Sequence, residues 1–170
     1  MRSEPQRNAL VAACRGHVDV ETAIQSLHSH GFDMKSVSVV GRDIPGERDV
    51  VGCYRVGGSC RYRGPLGAFW EGLWEFLDGF GFFWVPDLGW ILMAGPFAGW
   101  VVTNLENSSI FCGLTAVGSA FYSIGISRDD ILQYEASLKD GGLLLIIHGS
   151  ATTVENARRL FDQLNDRQAF

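Results

Sequence analysis

The stretch ALVAACRGHVDVETAIQSLHSHGFDMKSVSVVG, residues 9–41, decides the fold. Its first six residues, ALVAAC (9–14), form a short apolar run that predicts a strand. SVSVVG (36–41) alternates and is rich in β-branched residues, which predicts a second strand. The residues between the two runs decide how the strands are joined.

A helix is predicted between these strands. Asp19 is the expected N-cap, and Gly31 supplies a C-terminal stop. The apolar residues that follow the cap recur at helical spacing, at Val20, Ala23, Ile24 and Leu27. Residues 9–41 therefore form a β-α-β unit.

The rest of the chain extends this unit. VVGCYRV (50–56) predicts a third strand, and LLLIIHG (143–149) predicts a buried fourth strand. SRDDILQYEASL predicts a helix capped by Ser127, and TTVENARRLFDQL predicts a last helix with Thr152 and Glu155 spaced as a capping box. The order β-α-β-β-α-β is that of an α+β, ferredoxin-like sandwich, for which we expect helices on one face and a further C-terminal helix.

A glycine-rich hydrophobic segment, residues 64–125, interrupts this pattern. We expect one discontinuous α/β domain over 8–63 and 126–168 that carries residues 64–125 as a helical insertion. The predicted helical segments of the insertion are 65–83, 88–104 and 108–124. The last two are marginal membrane spans, since about 17 residues give about 26 Å against a bilayer core of about 30 Å.

Several residues of the insertion are candidate contacts with lipid or with a second copy of the chain. Small residues four positions apart let helix backbones approach closely, and tryptophan favours lipid interfaces. The candidate residues are Gly95, Gly99, Cys112, Ala116, Ala120, Trp84, Trp90 and Trp100. A membrane contact and a soluble oligomer interface both remain open.

Three carboxylates stand out in the first predicted segment. Glu71, Glu75 and Asp78 fall within an arc of about 60° on a helix, opposite a face formed by Phe69, Leu73, Phe76 and Phe80. An isolated carboxylate at a bilayer centre costs at least about 2.5 kcal/mol, so this acidic stripe cannot face lipid. It is either a solvated face or the lining of a cation-attracting cavity between subunits.

A basic flank precedes the insertion. Arg55, Arg61 and Arg63 have no acidic residue among them. They are expected either to face anionic headgroups or to form a solvated loop.

Composition excludes several classes of function. A net charge of −5 argues against non-specific nucleic-acid binding. The four cysteines form no CxxC pair, and the polar N-terminus lacks the apolar run of a signal peptide, so we expect free thiols in the cytoplasm. His28 and His30 are expected on different helix faces, and His148 is expected to be a hydrogen-bonded turn residue. No catalytic motif is found, and no metal or cofactor site is predicted.

The chain resembles the bacterial general stress protein 17M-like, or heat-induced stress, family, whose biochemical function is unknown. The resemblance rests on GFDMKSVSVVGRD (31–43), VVGCYRVG (50–57), GPLGAFWEGLW (64–74), AGPFAGWVV (94–102) and YSIGISRDDILQYEASLKDGGLLLIIHG (122–149). It implies an α/β domain that holds a glycine-rich hydrophobic hairpin, and it implies no catalytic residue. The chain departs from the family at Glu71, Glu75 and Asp78, where small or apolar residues are expected.

Together these features predict a non-enzymatic, stress-related protein that self-assembles and associates with the cytoplasmic side of a membrane through its insertion. The expected partners are further copies of the chain and membrane lipid. The alternative is a soluble, oligomeric small-molecule-binding module that uses the insertion as its subunit interface.

Overall fold

The computed structural model describes residues 9–42, 54–56, 59–61, 67–77, 80–85, 87–106 and 114–168. These residues form an α+β fold around a five-stranded antiparallel sheet. The elements in chain order are β1 (Ala9–Cys14), α1 (His17–Ser29), β2 (Val37–Arg42), β3 (Tyr54–Val56), β4 (Ser59–Arg61), α2 (Gly67–Phe76), β5 (Phe80–Val85), β6 (Gly89–Ala94), α3 (Phe97–Glu106), α4 (Ala116–Ser123), α5 (Arg128–Lys139), β7 (Leu143–His148) and α6 (Ala151–Gln168).

The main sheet has the strand order β1-β7-β2-β6-β5, and each neighbouring pair is antiparallel. The last strand, β7, therefore lies between the first two, and α1 crosses over it to join β1 to β2. Strands β3 and β4 form a separate two-stranded ribbon.

Helices cover both faces of this sheet. On one face α1, α2 and α6 pack against alternate strand residues such as Val39, Leu92 and Leu145. On the other face α3, α4 and α5 pack against the intervening residues, such as Met93 and Ile146. Because both faces are buried, the central strands are apolar at nearly every position rather than at alternate ones.

The expected fold is correct as an α+β fold, but the ferredoxin-like topology is not confirmed. In a ferredoxin-like sheet the first strand is central, whereas β1 lies at an edge. The third strand predicted at 50–56 is described only at 54–56, and it belongs to the separate ribbon. The prediction of helices on one face is also wrong, because the insertion supplies α3 and α4 to the second face.

The insertion is not wholly helical. β5 begins at Phe80, inside the predicted helical segment 65–83, and β6 (Gly89–Ala94) lies inside the predicted segment 88–104; both are strands of the main sheet. Periodicity cannot separate a short buried strand from a buried helix, and here glycines and aromatic residues favour the strand. The division of the chain into a discontinuous domain and an insertion stays a prediction.

Two of the predicted helix caps are correct and two are displaced. Ser127 caps α5 by accepting from the backbone N–H of Asp130, and Gly31 follows α1 with a φ of 80°. Asp19 lies inside α1, which begins after Gly16. Helix α6 begins at Ala151, before Thr152, and Ser150 accepts from the N–H of Thr153.

The insertion joins the sheet through the pairing of β6 with β2, and two side-chain hydrogen bonds tie its helices α2 and α3 to these strands. The buried Ser38 hydroxyl of β2 accepts from the N–H of Phe97, the first residue of α3, at 3.1 Å. The indole N–H of Trp74 in α2 donates to the carbonyl of Met93 in β6 at 2.8 Å.

Gly95 lies at the turn from β6 into α3, where a Cβ atom would collide with the backbone carbonyl of Val37. The chain therefore enters α3 in close backbone contact with β2.

A buried carboxylate holds α4 against α5. Glu135 is 6% exposed, and its Oε1 accepts from both the backbone N–H and the hydroxyl of Thr115, each at 3.1 Å. The same hydroxyl oxygen accepts from the N–H of Gly118 at 3.0 Å and thereby caps α4. Glu135 thus satisfies donors at the start of a helix from which water is excluded.

We expect Glu135→Ala to destabilise the protein by about 2 kcal/mol or more, because it leaves buried donors without an acceptor. The free energy of unfolding, measured by urea titration, checks this expectation. Glu155→Ala, on the exposed face of α6, is the matched control and should change stability by less than about 0.5 kcal/mol. Equal losses in the two variants would contradict the structural role of Glu135.

Candidate functional site

A sharp turn joins β5 to β6 and forms the end of the insertion's hairpin. We call Trp84, Val85, Asp87, Leu88, Gly89 and Trp90 the hairpin tip. Asp87 and Gly89 both have positive φ, at 72° and 83°, and the Leu88 N–H donates to the carbonyl of Val85 at 3.1 Å. Val85 and Leu88 are buried beneath the helical layer of α3, α4 and α5. The turn is therefore anchored from one side.

Two indoles lie side by side at the hairpin tip. Trp84 and Trp90 are cross-strand partners, so they share one face of the sheet. Trp84 is 56% exposed and Trp90 is 46% exposed. They belong to the face that carries Leu92, but they extend beyond the cover that α2 gives to it. The result is an exposed aromatic surface beside the turn.

Among the described residues, few charges lie near this tip. Asp87 is exposed at the turn itself. On the opposite face of the sheet, Arg42 donates through Nη1 to the carbonyl of Lys139 at 3.0 Å, and its buried Nε has no hydrogen-bond partner in the described structure. A Cβ atom on Gly89 would lie 3.8 Å from this guanidinium. The tip therefore combines two exposed indoles, one carboxylate and a nearby tethered cation.

The predicted small-residue contact face does not exist as one helix surface. Gly95 precedes α3 with a φ of 94° and is buried, whereas Gly99 lies in α3 and is exposed. Ala116 and Ala120 are buried in the chain's own core, so they are not available to lipid or to a second subunit. Cys112 lies outside the described residues. The spacing reflects internal packing of α4 rather than an outer contact.

The rings of Trp100 and His148 pack against each other. Trp100 was a candidate lipid contact, and His148 was expected in a turn but is the last residue of β7. Their ring centroids lie 4.8 Å apart at an angle of 73°. The Nε2 atom of His148 is buried and has no hydrogen-bond partner in the described structure, which contradicts the expected hydrogen-bonded turn histidine. Burial lowers the pKa of His148, so the imidazole stays neutral near pH 7.

The acidic stripe is only partly described. Glu75 is exposed on α2, whereas Phe69 and Leu73 are buried on the opposite side, as expected for an amphipathic helix. Phe76 is 47% exposed and Phe80 belongs to β5, so neither belongs to the expected apolar helix face. The backbone of Glu71 lies in α2 but its side chain is not described, and Asp78 lies outside the described residues.

The structure describes the basic flank only in part, and it does not bring the two histidines together. Arg55 and Arg61 lie on β3 and β4 without described side chains, and Arg63 lies outside the described residues. The ring of His28 packs on that of Phe76, whereas Nδ1 of His30 lies 2.7 Å from the carbonyl oxygen of Ser26. Among the described residues, no group of three or more His, Cys, Asp or Glu side chains could hold a metal ion.

None of the helices in the described parts of the chain has both the length and the apolar character needed to cross a membrane. The predicted marginal spans at 88–104 and 108–124 are divided among β6, α3 and α4.

A groove that sequence reasoning did not anticipate lies beside β1. It has a volume of about 360 Å³ and lies between α1, α6 and the edge strand. Its apolar floor includes Leu10, Ala12 and Phe161, and its polar side chains lie at the rim, at Asp19, Thr22, Arg158, Asp162 and Asn165.

Cys14 is free and borders the groove. Burial, with a smaller effect from Asp19, raises the pKa of the Cys14 thiol to about 11.

We expect Cys14 to be slow to alkylate at pH 8, because almost none of it is thiolate below its raised pKa. Iodoacetamide labelling followed by peptide mass spectrometry measures this residue separately from the other cysteines. The same protein unfolded in urea is the control, and its Cys14 should label at least about tenfold faster. Equal rates in the folded and unfolded states would contradict the shifted pKa.

Comparison with known proteins does not assign the chain to a family. No protein-family model matches the chain, and no curated protein or solved structure matches it significantly. The resemblance to the stress-protein family therefore stays a prediction from the sequence.

Proposed function

We propose that this protein is a non-enzymatic, stress-related protein that associates peripherally with the cytoplasmic side of a membrane and acts as a homo-oligomer. The observation that carries the membrane contact is the exposed pair of indoles, Trp84 and Trp90, at the hairpin tip. The stress-related role rests on the sequence resemblance alone. Neither helix insertion nor a catalytic centre is part of the proposal.

The physical basis is the preference of indoles for the boundary between water and lipid. Each ring is amphipathic, and cross-strand pairing directs both rings to one side of the hairpin. The turn is anchored by the buried Val85 and Leu88, so little order has to be imposed on binding. The tip is therefore a preorganised interfacial anchor.

The expected strength is modest. Burying the exposed half of one indole, about 100 Å², contributes about 2.5 kcal/mol at about 25 cal/mol per Å². Two indoles thus give about 5 kcal/mol, which corresponds to a dissociation constant of about 0.2 mM before any loss of freedom is counted. Binding by one tip should be reversible and visible only with lipid in excess.

Asp87 sets the lipid preference. Its carboxylate enters the headgroup region with the indoles, so an anionic surface repels it. We therefore expect the wild-type tip to favour zwitterionic over anionic vesicles. The predicted basic flank would act in the opposite direction if it lay close by.

The small-molecule alternative has weaker support. Its best observation is the groove beside β1, but Asp19, Arg158 and Asp162 are exposed at the rim. Specific small-molecule sites place a few polar groups inside a concave, largely apolar pocket. The groove suits a larger surface partner better.

We expect Trp84→Ala/Trp90→Ala to reduce partition into zwitterionic vesicles by about tenfold or more, because both rings leave the interface. Co-sedimentation with vesicles in lipid excess measures the partition. Leu132→Ala, which removes a side chain 46% exposed on α5, is the matched control and should bind like wild type. If the tryptophan variant binds as wild type does, the hairpin tip is not the membrane contact.

We also expect Asp87→Asn to strengthen binding to anionic vesicles about two- to fivefold, with little change on zwitterionic vesicles. Asparagine tolerates the positive φ of this position, so the variant changes charge and preserves the turn. The difference should shrink at 0.5 M salt because the repulsion is screened. An equal effect on both lipids would show that the carboxylate does not approach the headgroups.

A further inference from the structure

The groove beside β1 has a floor with the spacing of an extended chain. Leu10, Ala12 and Cys14 alternate along β1 and lie on the face of the sheet that α1 and α6 cover. Each of the three is only partly buried. Alternate side chains of a strand lie about 6.6 Å apart, at about 3.3 Å per residue. A partner segment that is itself extended therefore matches the floor at every second residue.

Two carboxylates from opposite walls flank one end of this floor. Asp19 of α1 and Asp162 of α6 are exposed and line the groove. Helix α6 begins shortly after His148, which pairs with Ala9, so the helix starts near the level of Ala9. Asp162 is about 16 Å from the helix start at about 1.5 Å per residue. Cys14 is about 16 Å from Ala9 at about 3.3 Å per residue, so Asp162 reaches the level of Cys14.

The acidic end of the groove is suited to one cation. Burial is the larger cause of the raised pKa of Cys14, and the negative charge of Asp19 adds to it, so the field of this carboxylate reaches the floor. Among the described residues, neither Asp19 nor Asp162 takes part in an ion pair. A lysine ammonium has three donors and can serve carboxylates on both walls.

Arg158 limits the cation to this end. It is exposed on the same wall as Asp162, one helical turn nearer the start of α6, and it also lines the groove. Its distance from the helix start is about 10 Å, which is also the distance from Ala9 to Ala12. A basic side chain at the level of Ala12 would be repelled, whereas an apolar one finds the floor. The rim therefore selects position as well as charge.

We propose that this groove binds an extended segment of a partner protein that carries apolar residues at two alternate positions and a single Lys or Arg two residues beyond them. The apolar side chains lie on Leu10 and Ala12, and the basic side chain lies between Asp19 and Asp162. The inference goes beyond the membrane contact, because the hairpin tip belongs to the strands at the other edge of the sheet. The two proposals therefore succeed or fail separately.

The test is an NMR titration of isotope-labelled protein with capped pentapeptides in lipid-free buffer. The probes are Leu-Ala-Leu-Ala-Lys, its reverse sequence, and the isomer Leu-Ala-Lys-Ala-Leu, which share composition and charge. One of the two isomers with a terminal lysine should bind, with shift changes on β1 and the facing turns of α1 and α6. The isomer with the central lysine should bind at least about threefold more weakly, because its charge meets Arg158. Replacing the terminal lysine with Gln should weaken binding about three- to fivefold.

A matched pair of variants isolates the two carboxylates. Asp19→Asn/Asp162→Asn should remove the preference for lysine over Gln. Glu21→Gln/Glu155→Gln also removes one exposed carboxylate from each of the same helices, but outside the groove, and should keep the preference. Circular dichroism melting confirms that both variants are folded.

Four results would overturn the proposal. They are the absence of saturable shifts with every isomer, equal binding of the central-lysine isomer, tighter binding of a Glu copy than of the Gln copy, and a lysine preference that survives in Asp19→Asn/Asp162→Asn. Shifts of the β1 amides that follow the protein's own concentration without peptide would also overturn it, because the occupant would then be a second copy of the chain.

Discussion

The insertion of β7 between β1 and β2 is the constraint on which the rest of the structure depends. β7 pairs with both neighbours along its length, and its residues Leu143 to Ile147 are buried. Without it, β1 and β2 would have no hydrogen-bonded connection to each other, since α1 joins them only by a crossover. Because this strand comes late in the sequence, its pairing with β1 and β2 joins residues more than 100 positions apart. That contact is non-local, and its formation requires closure of a long loop.

Burial of both faces explains why the middle of the chain is so apolar. β5 and β6 widen the sheet, α2 covers part of one face, and α3 and α4 cover the other. Most of the described apolar residues of the insertion are therefore buried inside the chain. Gly95 and Ser38 show how closely the layers meet, since the glycine has no room for a side chain and the serine hydroxyl receives the first N–H of α3.

The two ends of the sheet differ in their chemistry. At one end the hairpin tip exposes aromatic side chains, which suit an interface between water and lipid. At the other edge of the sheet β1 is a terminal strand beside helix α6, which carries charges of both signs.

The sequence by itself determined the local elements whose signals are short-range. The strand runs at 9–14 and 36–41, the strand at 143–149, the glycine stop at Gly31 and the Ser127 cap all follow from patterns within a few residues. The amphipathic character of α2 was also predictable, because Glu75 and Leu73 fall on different helical faces. Of the candidate site, Trp84 and Trp90 could be proposed as contacts from residue type, but their cross-strand pairing could not be predicted.

Only the tertiary structure decided the strand order, the strands within the insertion and the surfaces that remain exposed. A six-residue apolar run such as GWILMA is compatible with both a strand and a buried helix. Its secondary structure is decided by the elements that pack and pair with it. Ala116 and Ala120 resemble a contact face in the sequence, yet α3 and α5 already bury that face. Glu135 reads as one polar residue among several on α5, and its role exists only because α4 begins beside it. Local patterns specify which face of an element is apolar, whereas what covers that face depends on contacts between residues far apart in the chain.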